Sequence, residues 1–103
     1  MLLTTIDRIP DTQFDVLGLV EGSIVCMLEP AKQLMVDFRT LVGGELVEYS
    51  KLLTQSRQTA VERMMASAEM LGADAVINIR YSTSEIAADA AEVVAYGTAV
   101  KFR

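Results

Sequence analysis

Residues 71–79, Leu71-Gly72-Ala73-Asp74-Ala75-Val76-Ile77-Asn78-Ile79, decide the fold of this chain. They place the end of a helix directly against the start of a strand. Gly72 suits the C′ position, where a left-handed residue closes a helix at no steric cost. The β-branched run behind it reads as a strand, with Ile77, Ile79 and Tyr81 on one face and Asn78 and Arg80 on the other. A small polar connection over residues 82–91 then leads to Glu92–Phe102. There Val94, Tyr96, Thr98, Val100 and Phe102 share a face. The opposite set (Val93, Ala95, Gly97, Ala99, Lys101) is small, so another element packs close to it, either the long helix or a neighbouring subunit.

Upstream of Gly72 the apolar spacing is helical. Leu46, Tyr49, Leu53, Ala60, Met64, Ala68 and Leu71, widened by Leu52, Val61 and Met65, form one stripe. The pattern predicts a helix from about Glu45 to Leu71. At 1.5 Å per residue that rod is roughly 39 Å long. A compact domain of this size is only about 33 Å across, so the helix overhangs it and calls for a partner subunit. A shorter helix is predicted after Pro30, where Ala31, Leu34, Met35, Phe38, Leu41 and Val42 recur on one face. Gly43-Gly44 ends it. Before it, Leu2–Ile6 and Phe14–Met27 read as strands, with a turn at Pro10-Asp11 and a bend or close approach at Gly18 and Gly22. The expected order is β-β-α-α-β-β. It makes one α+β domain over residues 1–103, a two-layer subunit with helices on one face of a mostly antiparallel sheet.

Composition narrows the function classes. The 103 residues carry 9 Lys+Arg against 14 Asp+Glu, a net charge of −5. The basic residues are scattered, which speaks against nucleic-acid binding. No apolar run is long enough to span a bilayer. The start, Met1–Asp7, lacks the basic and apolar regions of a signal peptide. A single cysteine, Cys26, forms no internal disulfide. A soluble cytoplasmic protein is expected. The apolar fraction is 51%, more than so small a chain buries alone, and a homo-oligomer is the natural place for the surplus.

Order and motifs together resemble the YbjQ-like family of small uncharacterised bacterial proteins, which carry a heavy-metal-binding label. The matching pieces are Thr4-Thr5, Gly18 with Gly22, Arg39 followed by Val42-Gly43-Gly44, Tyr49, Leu71–Val76 and Tyr96–Val100. The resemblance covers nearly the whole chain. It implies a ring-forming subunit, a homopentamer in which short strands join neighbours. Glu45 departs from the family pattern, because an arginine usually follows the paired glycines.

Candidate sites are few. The metal label directs attention to Cys26, but a closed zinc site needs four N, S or O ligands and the chain has no histidine. Five Cys26 thiols converging on a ring axis would suit a soft ion such as Cu(I). The competing reading places Cys26 in the core of the apolar run Ile24–Met27. Met35, Met64 and Met65, at helical spacing, read as core. Arg39 with Gly43 and Gly44 forms a possible anion corner, against a plain tight turn. Tyr49, Tyr81, Tyr96 and the facing pair Asn78 and Arg80 would line an interface or a pore, against a solvated face or an intersubunit salt bridge. No cofactor is predicted beyond a possible heavy metal. No residues stand at catalytic spacing, and Cys26 has no base to activate it. An enzyme reading would need its site completed across subunits. The leading expectation is a ligand-binding or scaffolding module in a homo-oligomeric ring, the alternative a metal-handling protein using Cys26.

Overall fold

The computed structural model describes residues 1–27, 47–87 and 90–103. The helix expected after Pro30, the glycine pair Gly43-Gly44 and Arg39 lie outside them. The elements are β1 (Leu2–Leu3), β2 (Phe14–Met27), α1 (Val47–Met70), β3 (Ala75–Ala87) and β4 (Ala90–Phe102). The strands form one sheet in the order β1-β3-β4-β2. β1 runs parallel to β3, and the other two pairings are antiparallel. The fold is α+β with a mixed four-stranded sheet.

The helix ends as its sequence dictates. Gly72 has φ +77, its N–H donates to Glu69 O at 3.0 Å, and the Ala73 N–H donates to Ala68 O at 3.1 Å. This pair of bonds is the Schellman closure. The next residue ties the corner to the far end of β4. Asp74 N–H donates to Val100 O at 2.9 Å, and Asp74 Oδ2 accepts from the Phe102 N–H at 2.8 Å. Lys101 Nζ lies 3.5 Å from the same carboxylate and donates to Gly72 O at 3.1 Å.

The main core lies between α1 and one face of β2 and β4. Ala60, Met64 and Ala68, one stripe of the helix, pack on Val20, Val93, Ala95 and Ala99. The small residues of β4 thus meet the helix of their own subunit. At Gly22 the helix rests on bare backbone. A Cβ there would fall onto the Ala60 carbonyl oxygen and the Met64 amide nitrogen, and within 2.7 Å of the Arg63 carbonyl carbon. Arg63 Nη1 and Ser67 Oγ reach past this contact and donate to Ser23 O at 2.6 Å and Glu21 O at 3.4 Å.

A second, smaller core fills one end of the other face. Ala75, Ile77 and Val100 are covered there by Ile9 and Phe14. The segment that carries Ile9 turns through Ile9-Pro10-Asp11-Thr12, closed by Thr12 N–H to Ile9 O at 3.2 Å. Asp11 has φ +55, the conformation that a type II turn requires after proline.

Three expectations are corrected. Ile77 and Ile79 lie on opposite faces, because a bulge intervenes. Ile77 pairs with Thr98 and Arg80 with Tyr96, so Asn78 and Ile79 together oppose Gly97. Asn78 takes φ +54. Ile77 therefore joins the small core and Ile79 the main one, while Arg80 lies on the face of Tyr96. The polar connection over 82–91 is also mostly strand. β3 continues to Ala87 and β4 begins at Ala90. Ser82, Thr83, Ser84 and Glu85 pair with Val94, Val93, Glu92 and Ala91. The first strand is shorter than expected, with Leu2–Leu3 as the strand proper and Thr4 and Ile6 still bonded to β3 through Val76, Asn78 and Ile79.

Candidate functional site

The long strands extend well beyond what the helix and the Ile9 turn cover. The described chain has a radius of gyration of 17.1 Å and extents of 57 × 24 × 16 Å, whereas a compact domain of this length has about 13 Å. β2 is the terminal strand of the sheet. Its residues that face away from α1 include Leu19, Val25 and Met27, which are 71%, 50% and 54% exposed. Tyr96 of β4 continues this apolar surface. On the other margin the N-terminal arm follows β3 only as far as Ile79, whose N–H donates to Thr4 O at 3.1 Å. Beyond it, Tyr81–Ala87 is exposed throughout.

Three charged or aromatic side chains cross this surface in one row. Glu21 of β2 is opposite Tyr96 of β4, and Tyr96 is opposite Arg80 of β3. Directly opposed residues of antiparallel strands project from the same face. The row therefore runs from a carboxylate on the terminal strand β2 to a guanidinium on β3, beside the N-terminal arm. Arg80 is held by its Nη1, which donates to Thr5 O at 3.1 Å and Ile79 O at 2.8 Å. Asn78 is exposed but serves the bulge. The pair singled out in the sequence does not act together: Arg80 belongs to the row and Asn78 to the backbone turn beside it.

Cys26 lies on the helix side of β2, 3% exposed, against Ala91 and Leu52. Within the subunit its thiol faces inward, away from the open sheet surface. Among the described residues no group of three or more His, Cys, Asp and Glu side chains comes together as a metal site.

Sequence reasoning missed an open cleft of about 980 Å³ beside the turn that covers the small core. It is lined by Arg8–Phe14 and Arg103. Arg103 Nε donates to Asp15 Oδ1 at 2.8 Å, and the Arg103 N–H to Gln13 O at 3.0 Å. The exposed Arg8 and the half-buried Ile9 and Phe14 complete the lining. The only hint in the sequence was Arg8 beside Pro10-Asp11. Arg103 reaches the cleft because β4 runs antiparallel to β2, pairing Phe14 with Phe102.

A long helix laid across a mixed four-stranded sheet defines the class, and a crystal structure shares it. That structure is of a protein of unknown function in the DUF74 family, from Pediococcus pentosaceus. It aligns with a TM-score of 0.65 over 100% of this chain and 98% of its own, at 20% identity. The chain belongs to the YbjQ-like family, whose model, described as "Putative heavy-metal-binding", matches residues 1–103. Relatives named UPF0145 protein include one from Thermotoga maritima, 47% identical over 102 residues, 98% of this chain and 96% of the relative. Another, from Methanosarcina acetivorans, is 46% identical over the same shares. The described residues do not fit a heavy metal: Cys26 stands without companion ligands and is buried under α1. No helix among them is long and apolar enough to cross a membrane.

Proposed function

We propose that this protein is a self-assembling binding or scaffolding module, a homo-oligomeric ring with no catalytic chemistry of its own. The observation that carries this reading is the excess extension of the subunit, 17.1 Å in radius of gyration against about 13 Å for a compact chain of this length. So extended a domain leaves apolar sheet surface in water, and a second copy is the simplest cover for it. The family resemblance favours five copies. Ligand capture fits the cleft whose lining includes Arg8, Ile9, Phe14 and Arg103. Such a lining suits a small anion with an apolar body.

Native mass spectrometry of the protein as purified, without added metal, tests this reading. The expected spectrum shows a multiple of the 11.2 kDa chain, five copies by the family's pattern. A small-molecule adduct would name the ligand class. A single-chain mass at micromolar concentration would contradict the proposal.

A further inference from the structure

We infer that the cleft beside the Ile9–Thr12 turn binds a small organic monocarboxylate, with Arg8 recognising the carboxylate and Ile9 and Phe14 taking its apolar body. This site rests on the ligand-binding reading above and adds the recognising residue and the charge of the ligand.

Arg8 differs from the other described arginines. Arg57 donates to Thr54 Oγ1, Arg63 to Ser23 O, Arg80 to Thr5 O and Ile79 O, and Arg103 to Asp15 Oδ1. The Arg8 side chain has no hydrogen bond or ion pair to any described residue. A guanidinium carries five N–H donors in a planar fork that matches a carboxylate. In Arg103 the bond to Asp15 runs through Nε, so the fork has donors left over.

Charge limits the ligand. The lining side chains carry two positive charges, Arg8 and Arg103, and one negative, Asp11. Asp15, just outside the lining, already draws on Arg103. So small a positive excess matches a single negative charge. A multiply charged phosphate would meet Asp11 and Asp15 with part of its charge uncompensated.

The apolar side of the cleft is prepared. Ile9 and Phe14 pack on Ala75, Ile77 and Val100 and also line the cleft. Both are only half-buried, so apolar surface remains for a ligand to cover. The wall is fixed by Thr12 N–H to Ile9 O at 3.2 Å, Thr12 Oγ1 to Pro10 O at 3.1 Å and Arg103 N–H to Gln13 O at 3.0 Å. A wall ordered in advance lowers the cost of binding. The volume of about 980 Å³ lies at the upper end of small-molecule sites.

Hydrocinnamate, one carboxylate on a short chain ending in a ring, is the probe. With about eleven non-hydrogen atoms it is expected to bind in roughly the millimolar range. Amide NMR spectra of the nitrogen-labelled protein are expected to show saturable shifts at Arg8, Ile9, Asp11–Phe14 and Arg103. R8Q is expected to weaken binding about tenfold or more and to leave the spectrum away from the cleft unchanged. Neutral hydrocinnamamide and inorganic phosphate are expected to give no saturable shifts at these amides. The thermal midpoint of the wild type is expected to rise with hydrocinnamate concentration.

No saturable shifts with hydrocinnamate, or equal binding by R8Q or by the amide, would overturn the site. Phosphate binding as tight as hydrocinnamate would overturn the monocarboxylate assignment. Native mass of the same samples separates this site from the assembly. A multi-chain protein without shifts would overturn the site and leave self-assembly standing. A single chain that binds the probe would overturn self-assembly and leave the site standing.

Discussion

Gly22 lies directly beneath Ala60, with no room for a side chain between strand β2 and helix α1. The Cβ of an alanine there would meet helix backbone, which does not move aside as a flexible side chain does. The helix would have to lift from the strand along the main core of Val20, Met64 and Ala95. G22A is therefore expected to destabilise the protein by about 2 kcal/mol or more, in the upper range of overpacking costs. Urea unfolding at fixed chain concentration measures it. An unchanged midpoint would show that the helix does not sit this close.

Gly97 carries a related constraint on the opposite side of the main core. It faces the bulge formed by Asn78 and Ile79, and a Cβ would come within 2.8 Å of Val76 Cγ1 and 2.9 Å of Ile77 O. G97A is expected to cost about 1–3 kcal/mol. N78G is expected to be close to neutral or mildly stabilising, because glycine adopts φ +54 without strain. A strongly destabilised N78G would mean that the asparagine side chain itself supports the bulge.

These two glycines show where the sequence was legible and where it was not. The helix stop at Gly72, the stripe through Ala60, Met64 and Ala68, and the small face of β4 follow from periodicity and cap chemistry. Each is set by residues near in sequence. The bulge is different. Alternation placed Ile77 and Ile79 together, and one extra residue at Asn78 separated them. Its partner, Gly97, lies on another strand. Ser82–Glu85 looked like a loop because those residues are polar. They form a strand because β4 runs beside them, with no face buried by the described residues. The candidate site divides the same way. Arg80 was legible as a polar residue in an apolar strand, but its alignment with Glu21 depends on two strand registers. The cleft at Arg8 and Arg103 joins residues from opposite ends of the chain. Arg39, Gly43 and Gly44 lie outside the described residues.

Asp74 fastens the end of α1 to β4 through the Phe102 N–H at 2.8 Å and Lys101 at 3.5 Å. The ion pair is substantially exposed, so most of its effect comes from the carboxylate-to-amide bond. D74A is expected to cost about 1 kcal/mol, and K101A less. Hydrogen exchange locates the effect: the Phe102 amide is expected to lose protection in D74A while the centre of β4 keeps it. Uniform loss across β4 would contradict a local tie.

Cys26 is covered by Leu52 and Ala91. Its thiol is expected to react with a disulfide reagent at least about a hundredfold more slowly in the native protein than in denaturant, because reaction requires local opening. Fast, stoichiometric labelling under native conditions would place the thiol at a surface and reopen the case for metal binding through it.

The extended subunit is expected not to exist alone in solution. Small-angle X-ray scattering of the purified protein tests it most directly, because one curve gives both mass and size. The expected mass is that of several 11.2 kDa chains, with a radius of gyration clearly above the 17.1 Å of the described chain. A single-chain mass, with a radius of gyration at or below that value, would contradict it.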